Sequence, residues 1–574
     1  MELGMRNDGA RRNGMGSRLV LGCILAATVL SALPSLAQSL PGESQRHYAA
    51  RMKWWTEAKL GVFICWGPCS IAAQEIGWSR NGPRPGGFPP GEGGVPMDVY
   101  DNLYKRFDPV KFDAREWVRV IKDSGAKYMI FLTRHHDGFS MWDTAFDDYK
   151  ITNTPFKRDV TGELAQACHE AGIKIIWYYS QPNWHHPDYM TEHHDRFIKY
   201  LHGQVRELLT KYGKIDGMWF DGLYGGSKEW DSPALFKMIH ELQPGITINN
   251  RGGLAGDYDT PEQTIGSFQI KHPWESCITM GTGWSWTGEN APVKPLKECL
   301  QILVRCAGGG GNLALDTGPM PDGRIDPRQV DNYRKMGEWL HKYGESIYAT
   351  TGGPYRPGEW GACTRKGDTV YLHIFTWAKH RLRLPPLGRK VIACRALTGG
   401  TATCRQSERA LTVEMPAGDR NDTDTIVALT LDGSAMDQPA ENAFGPGVIS
   451  VGKTATASSI WSAEYSAQKA FDGDTDTRWG GAPDSRSGWL QVDFGKPMAC
   501  DRILVMEEPW NRVRKFELQY QDGDTWRTFH TGTTLGTFRL SFPRITAQKV
   551  RLNVLEATDV PTIWEVAWYG PGGR

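Results

Sequence analysis

The 574-residue sequence predicts a multidomain protein of the α/β plus all-β class: a (β/α)8-type barrel over 38–350, a β-sandwich over 351–433 and a second β-sandwich over 448–574. Three observations predict this fold. Strand-like and helix-like segments alternate up to about residue 350. Short alternating strands separated by Gly, Pro and Asp turns follow, and a linker rich in Ala, Pro and Gly occupies 434–447. At about 150 residues per domain, the length fits this organisation.

The barrel prediction depends on repeated strand–helix units, because parallel strands need a crossover connection that is usually a helix. An apolar stripe predicts a helix over about 113–124, which Asp113 can cap and Gly125 can end. About seven or eight such units fit a closed barrel better than an open sheet. The strand-like segments are 62–64, 127–133, 173–180, 215–222, 246–251 and 312–316.

Composition and charge exclude several classes of function. The chain carries 66 Lys+Arg and 65 Asp+Glu, a net charge of +1, which excludes nucleic-acid binding through bulk charge. Its 40% hydrophobic and 23% charged residues exclude wholesale disorder. The 23 Trp, 20 Tyr and 20 Phe are an excess that suits stacking on sugar rings, although aromatic β-sandwich cores explain it equally well.

The first 37 residues have the pattern of a secretory signal peptide. A basic start precedes an apolar run over 19–33, and the small residues at 35 and 37 form a cleavage site. We therefore expect a secreted or periplasmic protein. A lipoprotein is the alternative, because Cys23 follows Leu-Gly. The apolar run is too short to span a bilayer and no later run exceeds it, so no membrane insertion is predicted.

Cleavage would leave ten of the 11 cysteines, too few for a fold that depends on disulfides. Cys394 and Cys404 flank a Gly-Gly turn. They either bridge a hairpin or remain two buried thiols.

Two acidic residues lie where barrel enzymes keep their chemistry. Asp221 ends a strand-like segment and precedes Gly222, and Glu275 follows Trp274 in a separate unit 54 residues later. Two carboxylates that face one glycosidic bond can act as nucleophile and as proton donor. The alternatives are a helix-capping aspartate and a surface glutamate on a loop.

The adjacent histidines His135 and His136 are more consistent with hydrogen bonds to sugar hydroxyls than with a metal. Neighbouring residues on a strand point to opposite faces, and no His-x-His or His-Glu-x-x-His occurs nearby. The glycine run at 308–311 lacks a following Lys-Ser/Thr and is therefore not a phosphate-binding loop.

Several ordered blocks over 47–433 resemble the α-L-fucosidases, which are retaining enzymes of glycoside hydrolase family 29. The blocks that carry the resemblance are Lys59-Leu60-Gly61-Val62-Phe63-Ile64-Cys65-Trp66-Gly67-Pro68, His135-His136-Asp137-Gly138-Phe139, Tyr178-Tyr179-Ser180, Trp219-Phe220-Asp221-Gly222, Asn250-Arg251, Trp274-Glu275 and Gly310-Gly311-Asn312-Leu313.

The resemblance implies an exo-acting α-L-fucosidase that hydrolyses terminal fucosyl residues of glycans through a covalent glycosyl-enzyme intermediate. It implies that Asp221 is the nucleophile and Glu275 the acid/base residue, with no cofactor for catalysis. The residues implied to surround the sugar are His135, His136, Tyr178, Trp219, Arg251, Trp78, Trp284, Cys65 and Glu75.

Two departures from the family pattern lie where substrate hydroxyls are read. Cys65 stands where the family block has His before Trp-Gly, and the family's adjacent Glu-Trp pair is here separated, as Glu75 and Trp78. A thiol is shorter than an imidazole and a poorer hydrogen-bond donor. A hydrolase of a related α-L-glycoside such as an α-L-galactoside, or a non-catalytic glycan-binding protein, therefore remains an alternative.

The C-terminal unit resembles the discoidin-like F5/8 type C domains, which are common carbohydrate-binding modules. The resemblance implies a structural calcium site that includes Asp472, Thr477 and Glu565; an Asx turn without an ion is the alternative. Trp461 and Trp510 are either platforms for sugar rings or parts of the core.

Overall fold

The structure is a computed structural model that describes residues 40, 42–88, 94–222, 225–266, 268–377, 381–407, 410–438, 448–473, 477–507 and 511–571. The signal-peptide prediction, Trp510 and most of the proposed linker lie outside these residues.

The first fold unit is built on a fully parallel sheet with the strand order β5-β4-β3-β2-β1-β7-β6. Register pairs such as Gly61 with Tyr128 and Glu275 with Asn312 align the strand starts. These strands are β1 Leu60–Ile64, β2 Tyr128–Arg134, β3 Lys174–Tyr179, β4 Gly217–Phe220, β5 Thr247–Ile248, β6 Glu275–Thr279 and β7 Asn312–Thr317.

Residues 257–263 connect β5 with β6 and complete the ring of strands. Parallel bridges join Asn249 to Tyr258 on one side and Glu262 to Cys277 on the other. The predicted barrel class is confirmed, but its eighth position is a bridging segment rather than a regular strand. No helix is present in the described residues between β5 and β6.

Helices cover the outside of the ring, as the sequence predicts for parallel strands. Asp113 caps the helix after β1 by accepting from the backbone N–H of Arg115 and Glu116, which confirms the predicted cap. The helices are α1 Gln45–Ala58, α2 Met97–Tyr100, α3 Ala114–Asp123, α4 Val160–Ala171, α5 His194–Thr210, α6 Ser232–Leu242, α7 Leu296–Gly309 and α8 Pro327–Tyr343.

The alternation of side chains along the strands separates an outer core from the barrel interior. Val62 and Ile64 pack in the cluster that contains the helices, whereas Phe63 and Cys65 pack inside with Tyr128. Gly61 is required beneath the ring of Tyr128, since a Cβ there would lie 2.1 Å from Tyr128 Cε2. The interior is therefore closed at the start of the strands, and polar groups gather at their other end.

A β-sandwich follows the barrel, with sheet orders β12-β15-β10-β9-β8 and β11-β14-β13. A disulfide joins Cys394 on β12 to Cys404 on β13. The bridge forms, but it links strands of two different sheets rather than the two arms of a hairpin. The strands are β8 Thr351–Gly352, β9 Gly361–Lys366, β10 Thr369–Ile374, β11 Arg381–Leu384, β12 Val391–Ala396, β13 Thr403–Ser407, β14 Ala410–Glu414 and β15 Thr425–Leu431.

The C-terminal unit is an antiparallel sheet of order β16-β18-β21-β19-β20, with β23 also paired to β18 and a separate β17–β22 pair. Trp479 and Trp568 are fully buried in its core, while Trp461 is 51% exposed. The strands are β16 Thr454–Ala457, β17 Trp479–Gly480, β18 Gly488–Met506, β19 Val513–Asp522, β20 Thr525–Gly532, β21 Thr537–Ala557, β22 Thr562–Ile563 and β23 Glu565–Tyr569.

Within the described part of the chain, no helix has both the length and the apolar character that crossing a membrane requires.

Candidate active site

Asp221 lies directly after β4, at the open end of the barrel. Its Oδ2 accepts a hydrogen bond from the hydroxyl of Tyr178 at 2.8 Å, and its Oδ1 accepts one from Nη1 of Arg251 at 3.0 Å. Burial, and then the charge of Asp221, raise the pKa of Tyr178, which therefore remains a donor. Tyr178 on β3 thus holds one carboxylate oxygen of Asp221, and Arg251 after β5 holds the other. Together they orient the carboxylate.

His135 and His136 follow the end of β2, so both rings face the site instead of opposite faces. His136 Nε2 lies 3.5 Å from Asp221 Oδ2, while its Nδ1 contacts the hydroxyl of Ser180. Burial, and then Arg134, lower the pKa of His136 to about 3, so the ring is neutral.

The hydrogen bonds of Ser180 fix which nitrogen of His136 carries the proton. The Ser180 hydroxyl donates to the carbonyl of Pro182 at 3.0 Å, so His136 Nδ1 is the donor toward Ser180. Nε2 then presents a lone pair beside Asp221 and has no hydrogen-bond partner among the described residues. A ligand hydroxyl between the two groups would satisfy it.

The same cluster offers ligand atoms that suit a metal ion. One atom each from His135, His136 and Asp221 lie within 4.8 Å of one another. Neutral imidazoles and a carboxylate are ligands for a divalent cation, and the same atoms suit hydrogen bonds to sugar hydroxyls.

Arg251 connects Asp221 with a second carboxylate that the sequence analysis missed. Its Nη1 also donates to Oε2 of Glu262 at 2.9 Å. The two acceptor oxygens therefore lie less than about 6 Å apart, which is below the roughly 6.5–9.5 Å between carboxyl groups of inverting glycosidases. Burial opposes the charge of Arg251, but Asp221 and Glu262 are among the groups that raise its pKa. The Glu262 side chain is 43% exposed and thus accessible to water.

Glu275 lies away from this pair, at the opposite end of the strands. It is the first residue of β6 and is fully buried. Its Oε2 accepts from the hydroxyl of Tyr128, and its Oε1 accepts from the indole N–H of Trp219 at 3.2 Å. The guanidinium of Arg251 lies 4.8 Å from the centroid of Trp219. The indole thus contacts both Glu275 and the arginine that binds Asp221.

Burial raises the pKa of Glu275 to about 7, while the hydrogen bonds from Tyr128 and Trp219 oppose the rise. A raised pKa is typical of a general acid. Here it results from enclosure in the barrel interior, and both carboxyl oxygens already have protein donors.

Aromatic rings form an apolar cup beside Asp221. The Phe63 ring lies 5.7 Å from Tyr178, 5.6 Å from Trp219 and 5.7 Å from Trp284, centroid to centroid. The predicted wall residue Trp284 belongs to this cup.

Trp78 lies beside the histidines, with its ring 5.4 Å from that of His136 and 5.4 Å from that of Trp184. Arg84 stacks on Trp78 and Trp184 at 5.3 and 5.0 Å. Trp184 and Arg84 were not predicted, because both lie in loops without strand or helix periodicity.

Glu75 positions the loop that carries Trp284. Its Oε2 accepts from the backbone N–H of Trp284 at 2.8 Å, and its Oε1 accepts from that of Ile76 at 2.9 Å. Cys65 is buried nearby, and burial, then Asp316, raise the pKa of its thiol. The structure thus gathers most of the predicted sugar-site residues around Asp221 and leaves Glu275 beneath Trp219.

A model of the α-L-fucosidase family matches residues 35–345, more than half of the chain. The chain belongs to the α-L-fucosidase family. A model of the F5/8 type C domain matches residues 454–566.

Solved α-L-fucosidases share the fold. Isoenzyme 1 from Paenibacillus thiaminolyticus is 32% identical with a TM-score of 0.60, covering 67% of this chain and 99% of its own. A trapped covalent intermediate of the Bacteroides thetaiotaomicron enzyme with 2-fluoro-fucosyl fluoride is 27% identical with a TM-score of 0.60, covering 69% and 99%. The α-L-fucosidase of Branchiostoma floridae is 27% identical over 62% of this chain and 86% of its own length.

In the F5/8 type C domain of this fucosidase-family chain, the predicted calcium ligands lie in adjoining positions. Thr477 donates to both carboxylate oxygens of Asp472, at 3.0 and 2.8 Å. Glu565 accepts from the backbone N–H of Gly473 at 3.1 Å. The side-chain atoms that could bind a metal ion at these three residues are all oxygens, which are the ligands that Ca²⁺ prefers. Lys469 Nζ lies 3.6 Å from Asp472 Oδ2.

Proposed function

We propose that this member of the α-L-fucosidase family is a retaining, exo-acting α-L-fucosidase in which Asp221 is the nucleophile and Glu262 the acid/base residue. One observation carries the proposal: Arg251 binds a carboxylate oxygen of each residue at the open end of the barrel. Barrel enzymes keep their chemistry at this end, and an upper bound of about 6 Å between the two oxygens is compatible with a covalent intermediate.

In the first step, an oxygen of Asp221 attacks the anomeric carbon while the bond to the aglycone oxygen breaks. Glu262 transfers its proton to that departing oxygen, so the leaving group departs neutral. Tyr178 and Arg251 keep the nucleophile oriented toward the sugar.

In the second step, Glu262 removes a proton from a water molecule whose oxygen attacks the same carbon. The ester bond to Asp221 breaks, which regenerates the carboxylate and releases the sugar with its original configuration. The exposure of Glu262 supports this role, since the incoming water reaches it from solvent.

This assignment replaces Glu275 as the acid/base residue. Glu275 begins β6, whereas Asp221 follows the end of β4, and its carboxyl is enclosed by Tyr128 and Trp219. We assign it a positioning role through Trp219, whose ring belongs to the apolar cup.

The substrate proposal rests on the cup and on the histidines. A fucosyl methyl group needs apolar contact, which Phe63, Tyr178, Trp219 and Trp284 supply. His136 Nε2 accepts from a sugar hydroxyl. Because Cys65 is shorter than histidine, an α-L-galactoside, which adds one hydroxyl to the methyl carbon, is the second candidate substrate.

Export through the N-terminal signal and a structural calcium at Asp472, Thr477 and Glu565 remain part of the proposal. The disulfide between Cys394 and Cys404 supports export, since such bonds persist in oxidising compartments. Sequencing the N-terminus of the mature protein tests the cleavage after residue 37.

The proposed activity is tested by comparing kcat/KM for aryl α-L-fucoside and aryl α-L-galactoside and by following the product by proton NMR. We expect the fucoside to be preferred and α-L-fucose to appear before its anomer. Release of the β-anomer first would refute retention, and binding of fucose without turnover would identify a glycan-binding protein instead.

A further inference from the structure

A further carboxyl group, that of Asp316, faces the barrel interior near the open end of β7. Asp316 pairs with Phe63 on β1 and with Thr279 on β6, and paired residues of a sheet share a face. Phe63 packs in the interior cluster, as does Ala314 two residues before Asp316. Asp316 therefore faces the same interior as the apolar cup.

The carboxyl group of Asp316 is fully buried, and Cys65 is the neighbour whose polar groups lie closest to bonding it. Among the described residues, neither of its oxygens has a hydrogen bond of acceptable geometry. Burial raises its pKa well above the usual range; the Cys65 thiol opposes the rise and the Glu75 charge adds to it. Burying a polar group without a hydrogen-bond partner lowers the stability of the fold. We therefore expect a ligand to supply a hydrogen bond to this carboxyl group.

The fold places Asp316 across the barrel from Asp221. When residues 257–263 are counted as one position, the ring has eight positions and β7 lies four positions from β4 in either direction. A sugar whose anomeric carbon C1 contacts Asp221 points the carbon opposite C1 toward β7. In a pyranose, that carbon is C4.

The apolar cup gives a second, independent constraint. The methyl group of a fucoside is carried by C5, and the cup that would hold it contains Phe63, the register partner of Asp316. The sugar hydroxyl that Asp316 would bind is therefore carried by a carbon next to C5. C4 meets both constraints, whereas C3 is not adjacent to C5.

We propose that Asp316 determines specificity by binding the C4 hydroxyl of the sugar, with the small Cys65 side chain leaving room for this contact. The inference rests on the proposed function, because it uses the fucoside orientation that Asp221 and the cup define. Asp316 would thus contact the substrate directly. This contact is separate from those of Asp221 and Glu262, and the motifs of the sequence did not point to it.

A cycle of enzyme and substrate changes tests the contact. Wild type and Asp316→Ala are compared on aryl α-L-fucoside and on its 4-deoxy and 3-deoxy analogues. We expect Asp316→Ala to lower kcat/KM for the fucoside roughly ten- to a hundredfold and to leave the 4-deoxy analogue nearly unchanged. The 3-deoxy analogue should lose as much as the fucoside does.

Equal losses on all three substrates would overturn the proposal, because they would indicate a structural role. Coupling to the 3-hydroxyl instead would refute the position. Asp316→Asn, which keeps the shape and one acceptor, serves if the alanine variant does not fold, and should show a smaller loss with the same dependence on the 4-hydroxyl. Asp322→Asn is the matched control, since Asp322 pairs with Lys111 and Arg324.

Calorimetric titration separates a failure of this inference from a failure of the proposed function. Free L-fucose should bind wild type more tightly than 4-deoxy-L-fucose, and Asp316→Ala should abolish the difference even if no hydrolysis is found. Equal affinities for both sugars in wild type would contradict the contact.

Discussion

Arg251 and Asp221 form an ion pair at 3.0 Å, and the same guanidinium nitrogen also binds Glu262. This shared donor links the two carboxylates of the proposed mechanism. Arg251 follows β5, and Thr260 fixes its other nitrogens through its hydroxyl at 2.9 Å and its carbonyl at 2.8 Å. The position of the arginine is therefore set by the segment that completes the barrel.

Replacing Asp221 with glycine should lower kcat for aryl α-L-fucoside by several orders of magnitude, because no covalent intermediate can form. Azide should restore part of the rate by entering the vacated space. The product should then be β-L-fucosyl azide, since the anion attacks from the side of the missing carboxylate. Unchanged turnover, or an α-azide product, would contradict the role of Asp221.

Glu262→Ala should abolish hydrolysis of natural glycans while retaining much of the first step on aryl fucosides with good leaving groups, which need no proton. Azide should accelerate the second step and give α-L-fucosyl azide, because Asp221 still forms the intermediate. Product analysis by NMR checks this configuration.

Glu275→Gln is the matched control for Glu262→Ala. Glutamine can still accept from Tyr128 or Trp219, so leaving-group dependence should stay as in wild type. If Glu275→Gln, and not Glu262→Ala, showed the leaving-group dependence and the azide effect, the original assignment from the sequence would be correct.

Stability should depend on pH through Glu275. Its folded pKa of about 7 lies above the ordinary value of 4.5, so the folded state holds a proton that the unfolded state releases between these pH values. The free energy of unfolding should therefore fall as pH rises from about 4.5 to 7, by on the order of 3 kcal/mol.

Denaturant unfolding of wild type and Glu275→Gln at several pH values measures this contribution as the difference between the two. The variant lacks the titrating group. The free energy of unfolding should therefore show this fall with rising pH in wild type and not in Glu275→Gln. Parallel profiles for the two proteins would show that Glu275 does not carry the proton.

The sequence was sufficient to place Asp221, because a strand-end carboxylate before a glycine has few alternatives in a parallel barrel. It did not show where Glu275 lies along its strand, since a Trp-Glu motif does not reveal whether the glutamate begins or ends the strand. The register with Asn312 decides this. No sequence pattern pointed to Glu262, because the segment around it forms only isolated bridges and has no strand or helix periodicity.

Other parts of the fold required contacts between distant residues. The Cys394–Cys404 bridge was one of two readings, but its link between two sheets depends on β12 pairing with β15. The interior position of Asp316 follows from the alternation along β7 only once the structure places Ala314 inside the barrel.

Removal of calcium should destabilise the F5/8 type C domain if the proposed site is correct. Loss of a bound divalent ion would remove its positive charge from between the carboxylates of Asp472 and Glu565. We expect a chelator to lower Tm by several degrees and added Ca²⁺ to restore it. Glu565→Gln should remove this dependence, and an unchanged Tm with chelator in wild type would contradict the site.

The central claim is that Asp221 forms a covalent bond with the sugar at the open end of the barrel. Incubation with 2-fluoro-fucosyl fluoride, followed by peptide mass spectrometry, tests it most directly. We predict a single fluorofucosyl adduct on the carboxyl group of Asp221. An adduct on Glu262 or Glu275, or turnover without any adduct, would contradict it.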